Sequence, residues 1–135
     1  MHEGHEEPGA ISAEVNRIGK AATDAAFTVH SALGPGLLES VYEACLFEEL
    51  RAVGLAVDRQ VAIPLRYREA RLDVGFRLDL LVDRSVIVEI KAIDALASIH
   101  VAQVLTYLKF SNLRLGYLLN FNVSRLKDGL RRIVL

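Results

Sequence analysis

The sequence has no tryptophan, a single cysteine and only three prolines. With Cys45 alone, neither an internal disulfide nor a zinc site of paired cysteines can form. Its place in an apolar helical stretch makes it a buried thiol rather than a nucleophile. No apolar run approaches the ~18 residues of a membrane span, and the charged start MHEGHEE lacks a signal-peptide pattern. A cytoplasmic protein that makes no use of a membrane is expected. There is no internal repeat, no P-loop, no GxGxxG fingerprint and no convincing Ser-His-Asp set. The net charge of −1 argues against a monomer that grips nucleic acid by bulk electrostatics.

What is present is uneven. From Lys109 to Leu135 there are six Lys or Arg against Asp128 alone, while the first 24 residues hold five acids against two bases. At 135 residues the chain has room for one domain with a real core and none for a second. Residues 1–10 have no periodicity and read as a disordered acidic tail, in which His2 and His5 would bind metal only adventitiously. The domain is then 11–135.

Within it, Ser12 can cap a first helix whose apolar positions run from Val15 to Leu33 and which ends at Gly34-Pro35-Gly36. His30, near the end of that helix, has an ordinary structural role or contacts substrate. A second helix is expected over 37–53, closing at Gly54, with Leu38, Val41, Tyr42, Cys45, Leu46, Leu50 and Val53 inward. Glu39 sits in its first turn, at N3 if Gly36 is the N-cap, where an acid stabilises the helix dipole.

Residues 57–67 follow, with Pro64 marking an edge strand or a bulge. RYREAR (66–71) is the polar turn into the next hairpin, and Arg59, Arg66, Arg68 and Arg71 face phosphates or solvent there. Beyond the hairpin, Asp94 can cap a helix over 95–110 with Ile99, Ala102 and Leu105 buried and a polar stripe of His100, Gln103 and Tyr107. Leu115 to Phe121 is a buried strand, and Asn120 at its end suits a turn. The basic segment 124–135 closes the sheet edge or forms an interface.

The central stretch is GFRLDLLVDRSVIVEIK (75–91). Two apolar runs flank Asp83-Arg84-Ser85, the signature of a β-hairpin with a three-residue loop. With Arg84 at its centre, Val82 pairs with Val86, which sets Asp79 opposite Glu89 and Arg77 opposite Lys91, all four on one face. Val86, Val88 and Ile90 take the other. Two carboxylates facing each other across a strand pair repel unless something positive lies between them. A hard divalent cation with an ammonium two residues on would fit; so would Lys91 pairing with a carboxylate on a wet face. The element order is helix, helix, three strands, helix, strand, an α/β fold with a mixed sheet flanked by helices.

The run Gly34-Pro35-Gly36-Leu37-Leu38-Glu39-Ser40-Val41-Tyr42-Glu43, with GLLESVY at its centre, resembles the motif that names the GxxExxY family. The resemblance continues through Arg59-Gln60, Asp79, Val88-Glu89-Ile90-Lys91, Gln103 with Tyr107-Leu108-Lys109, Leu115-Gly116 and Asn120-Phe121, over 11–135. That family is placed in the PD-(D/E)XK nuclease superfamily. The resemblance implies a restriction-endonuclease-like α-β-β-β-α-β core. It implies Asp79 and Glu89 as metal carboxylates with the Ile90 carbonyl, Glu39 as a further candidate ligand or water holder, and Lys91 as the residue that positions the attacking water. Gln103 and Tyr107 match the element that contacts substrate. Leu78 stands where the superfamily name has proline.

The expected activity is Mg²⁺- or Mn²⁺-dependent hydrolysis of phosphodiester bonds in DNA or RNA. The alternative is a non-catalytic nucleic-acid-binding or assembly module that keeps the fold. A core this small and nearly neutral would span a duplex as a homodimer, with the C-terminal strand and basic tail as contacts.

Overall fold

In a computed structural model, residues 10–135 are described. The acidic leader and its histidines therefore lie outside the described residues. Helices α1 (Ala13–Leu33) and α2 (Glu39–Ala52) precede strands β1 (Val57–Tyr67), β2 (Ala70–Val82) and β3 (Val86–Lys91). Helix α3 (Ser98–Ser111), β4 (Leu115–Asn120), a short 3-10 turn (Leu126–Gly129) and β5 (Leu130–Val134) complete the chain. The sheet runs in sequence order from β1 to β5, antiparallel except between β3 and β4. The basic C-terminal segment thus adds an edge strand, and the fold is the expected mixed sheet with helices on its faces.

Burial on both faces makes β3 and β4 the spine. Val86, Val88 and Ile90 pack with α1 and α2 residues such as Ala26, Tyr42 and Leu46, while Ile87 and Leu118 pack with Val104 and Leu108 of α3. Two stacked cores follow, one per sheet face, and they explain why both strands read as near-continuous apolar runs. Pro64 lies on the edge strand β1, and the register against β2 shifts between Pro64 and Leu65, so it marks both features expected of it. Cys45 is half-buried against the α1/α2-side core rather than fully enclosed.

Both later helices start further along than their apolar pattern implies. Gly36 adopts φ 99°, and the Tyr42 hydroxyl accepts from the Leu37 N–H at 3.2 Å, so Leu37 and Leu38 stay in the loop. Glu39 is consequently the first helical residue, not the third. Leu38 (73% exposed), Val41 and Val53 face solvent, not the core. In α3 the cap is not Asp94: the His100 ring accepts the Ala97 N–H at 2.9 Å, which fixes the start at Ser98. The buried line is then Val104 and Leu108, and Ile99 (59% exposed) and Ala102 turn outward.

Tyr42 explains why a tyrosine closes the GxxExxY stretch. Fully buried, it stacks on Phe121 at 4.6 Å and donates its hydroxyl to the Gly34 carbonyl at 2.6 Å. The Phe121 N–H in turn donates to the Lys91 carbonyl at 2.9 Å, so the loop before α2 and the end of β3 share one anchor. Tyr42→Phe keeps the stacked ring and deletes only the hydroxyl. It is expected to lower unfolding free energy by about 1 kcal/mol in denaturant titration with an unchanged circular dichroism spectrum.

Candidate active site

The β2–β3 hairpin turns on Asp83-Arg84-Ser85, and Val82 pairs with Val86 as the sequence implies. The pairing then runs only to Leu80↔Val88. At the next step the two acids break the ladder. The Asp79 carboxylate accepts the Ile90 N–H at 2.8 Å, and the Glu89 carboxylate accepts the Asp79 N–H at 2.8 Å. Carboxylates hydrogen-bonded to amides substitute for main-chain carbonyls, and the strands fork with both acids inside the fork. The expected pairing of Arg77 with Lys91 does not form. Arg77 lies opposite Ala62 of β1 and donates to the Gln60 carbonyl at 2.9 Å.

On the β1 side stands a group to which the sequence reading gave no site role, although Arg59 and Gln60 belong to the resemblance. Gln60, at φ 52°, donates to Glu43 at 2.7 Å and reaches Asp79 at 3.4 Å. Glu43 is buried and ion-paired with Arg59 at 3.1 Å; Arg59 lies over the Phe47 ring. The signal was there: Glu43 precedes Leu46 and Leu50 by three and seven residues, so an acid occupies the buried stripe of α2. A left-handed backbone at a non-glycine residue beside the acids is strain of the kind that functional sites hold.

The end of β3 is fixed from several directions. The Ala92 N–H donates to Glu39 at 3.3 Å, so this acid supports the strand end instead of capping its helix at N3. Asn120 is buried, accepting the Ile93 N–H and donating to the Ile93 carbonyl, which makes it a clamp on the following loop and not a turn former. His30 makes an ordinary structural contact, 2.8 Å from the Val123 carbonyl. Gln103 and Tyr107 line a cavity of about 290 Å³ with Phe76, and the Tyr107 and Phe76 rings lie 5.3 Å apart.

Electrostatics joins these parts. Burial, and then the charge of Asp79, push the Glu89 carboxyl up to about 8. Asp79 is also raised, chiefly by burial, against the hydrogen bond from Ile90. Lys91 pulls both acids down, and Glu43 pushes both up. Burial and the charges of Glu89 and Asp79 raise the Tyr107 hydroxyl, so α3 faces the same fork.

Among the described residues no group of three or more His, Cys, Asp or Glu side chains could cage a metal. The pair itself suits a hard ion. Each acid commits one oxygen to a backbone amide, and Glu89 Oε1 accepts no hydrogen bond among the described residues. Mg²⁺ binds through one or two carboxylates and keeps several waters, so the donor set fits it, or Mn²⁺ with the same taste for oxygen, better than it fits zinc or copper.

The sequence model of the PD-(D/E)XK nuclease superfamily matches residues 16–133. The chain belongs to this superfamily. Asp79 and Glu89-Ile90-Lys91 lie within the matched residues, on either side of the fork. No curated protein and no solved structure matches the chain. No helix among the described residues is long and apolar enough to cross a membrane.

The raised acids give a signed pH dependence. Below 4.5 Glu89 is protonated in folded and unfolded chains alike, and its contribution to stability is fully present. As pH rises the unfolded carboxyl ionises first, and that contribution is lost by about 8, with Asp79 acting in the same sense. Cation-free protein is expected to melt at a lower temperature at the alkaline end of this window than at the acid end. Glu89→Gln should flatten most of the difference; an equally steep melting profile in the variant would contradict the assignment.

Proposed function

We propose that the chain is a Mg²⁺- or Mn²⁺-dependent nuclease of the GxxExxY family, a single domain over 11–135 that hydrolyses phosphodiester bonds. One observation carries the reading: Asp79 and Glu89 converge in a fork that costs the sheet two ladder bonds. A face merely wetted by solvent would have no need of such a fork.

The side-chain oxygens of Asp79 and Glu89, with the Ile90 carbonyl, would hold the ion, and Glu39 keeps the strand end beside them in place. When bound, a divalent cation supplies Lewis-acid polarisation of a phosphoryl oxygen and a lowered water pKa. Lys91 carries three donors and no acceptor, so it can orient a water for in-line attack and screen charge developing on phosphorus. Gln103 and Tyr107 border the substrate side and can donate to phosphate oxygens. The converging acids support an enzyme over the non-catalytic module, whose cleft would be filled by arginine or apolar groups. The lone half-buried thiol suits a reducing cytoplasm, and the edge strand β5 is the proposed homodimer contact.

Purified protein is expected to nick nucleic acid only with Mg²⁺ or Mn²⁺, and Asp79→Ala and Lys91→Ala should each lose about 100-fold or more. Calorimetry should show Lys91→Ala still binding the cation and Asp79→Ala failing to. Equal nicking by all three proteins would refute the proposal. Light scattering is expected to give the mass of two chains; a stable monomer would remove the dimer contact.

A further inference from the structure

The arginines of the β1–β2 hairpin remain outside the site described above. Arg66 and Arg71 are direct cross-strand partners. Like charges set opposite each other on adjacent strands destabilise the pairing. Arg84, in the β2–β3 turn, faces the same cavity of about 370 Å³, which Phe110 and Ser111 at the end of α3 complete and no carboxylate lines. Among the described residues the ion pairs are Arg17–Glu14, Lys20–Asp24 and Arg59–Glu43, so these three guanidinium groups have no acidic partner.

A line of aromatic rings leads from the cavity toward Tyr107, whose hydroxyl feels the charges of Glu89 and Asp79. Phe76 lies 5.4 Å from Phe110 at the basic end and 5.3 Å from Tyr107 at the acidic end. All three rings are only partly buried. A basic pocket joined to partly open aromatic faces is the combination that holds a nucleic-acid strand by phosphate contacts and base stacking. The strand runs extended from Asp79 only as far as Val82, roughly 10 Å, before the turn that carries Arg84.

We infer that Arg66, Arg71 and Arg84 form a backbone-phosphate site for the substrate strand, away from the bond to be cut, with Phe76 and Phe110 as the stacking surface between. The inference rests on the nuclease reading for its substrate class but not on catalysis. The opposed arginines are tolerated because the bound phosphodiester lies between them, much as the opposed acids call for a cation.

The test is fluorescence anisotropy of a labelled single-stranded oligonucleotide in EDTA, as a function of salt, with Arg66→Gln/Arg71→Gln, Asp79→Ala and the unaltered protein. The double variant should bind about tenfold or more weakly, its log–log salt slope smaller by about 1 to 2, while its melting temperature holds or rises. Affinity and slope equal to the unaltered protein would overturn the site. So would a lowered melting temperature with unchanged slope, which would make the arginines fold supports. Displacement by inorganic phosphate of a probe that the double variant binds equally well would assign a free-phosphate site elsewhere. Strong binding by Asp79→Ala and the unaltered protein without Mg²⁺-dependent nicking would sink the nuclease reading and leave this one standing. Nicking with an unaffected double variant would do the reverse.

Discussion

The fork between β2 and β3 is the constraint on which the rest depends. Two ladder positions that could have held ordinary carbonyl–amide bonds are taken by the carboxylates of Asp79 and Glu89. Forcing acids toward a low-dielectric region is unfavourable unless their oxygens are satisfied, and the backbone amides satisfy one oxygen of each. That arrangement holds both groups within an interacting distance that solvent alone would not impose. It leaves the other Asp79 oxygen to Gln60 and Glu89 Oε1 with no donor among the described residues.

Charge bookkeeping around the fork points the same way. Glu43, Asp79 and Glu89 form a linked acidic set through Gln60 and mutual repulsion, and Arg59 and Lys91 are the cations that act on it. Arg59 is committed to Glu43, which leaves Lys91 to offset the other two acids. A single ammonium is one positive charge short of neutralising that pair. Burial first, and then this deficit, raises the proton affinity of Glu89, and a proton or a divalent cation could remove the deficit.

Much of this was legible because it rests on period-two alternation and loop length. Val82↔Val86 pairing, the shared core of Val86, Val88 and Ile90, the edge position of Pro64 and the final edge strand all follow from such local patterns. Where the reading failed, a side chain from outside the pattern had intervened. His100 replaced Asp94 as the device that starts α3, and the Tyr42 hydroxyl delayed α2 until Glu39. Glu43 was missed because its partners, Arg59 and Gln60, are neighbours only after β1 folds against α2. The facing of Arg77 and Lys91 failed because regular pairing was extended through the very acids that end it.

The protein is nearly neutral overall, and that is compatible with a strongly charged substrate because its charge is segregated. The arginine cavity ends at Phe110, and the rings of Phe110, Phe76 and Tyr107 form a line from it toward the acids. Bulk attraction is absent, so the proposed binding depends on local registry: a phosphate among the arginines, bases against the rings, and a phosphodiester at the acids. A small domain can gain positional selectivity this way from like-charge pairs of opposite sign, each strained alone and each relieved by the same polyanion with its counter-cation.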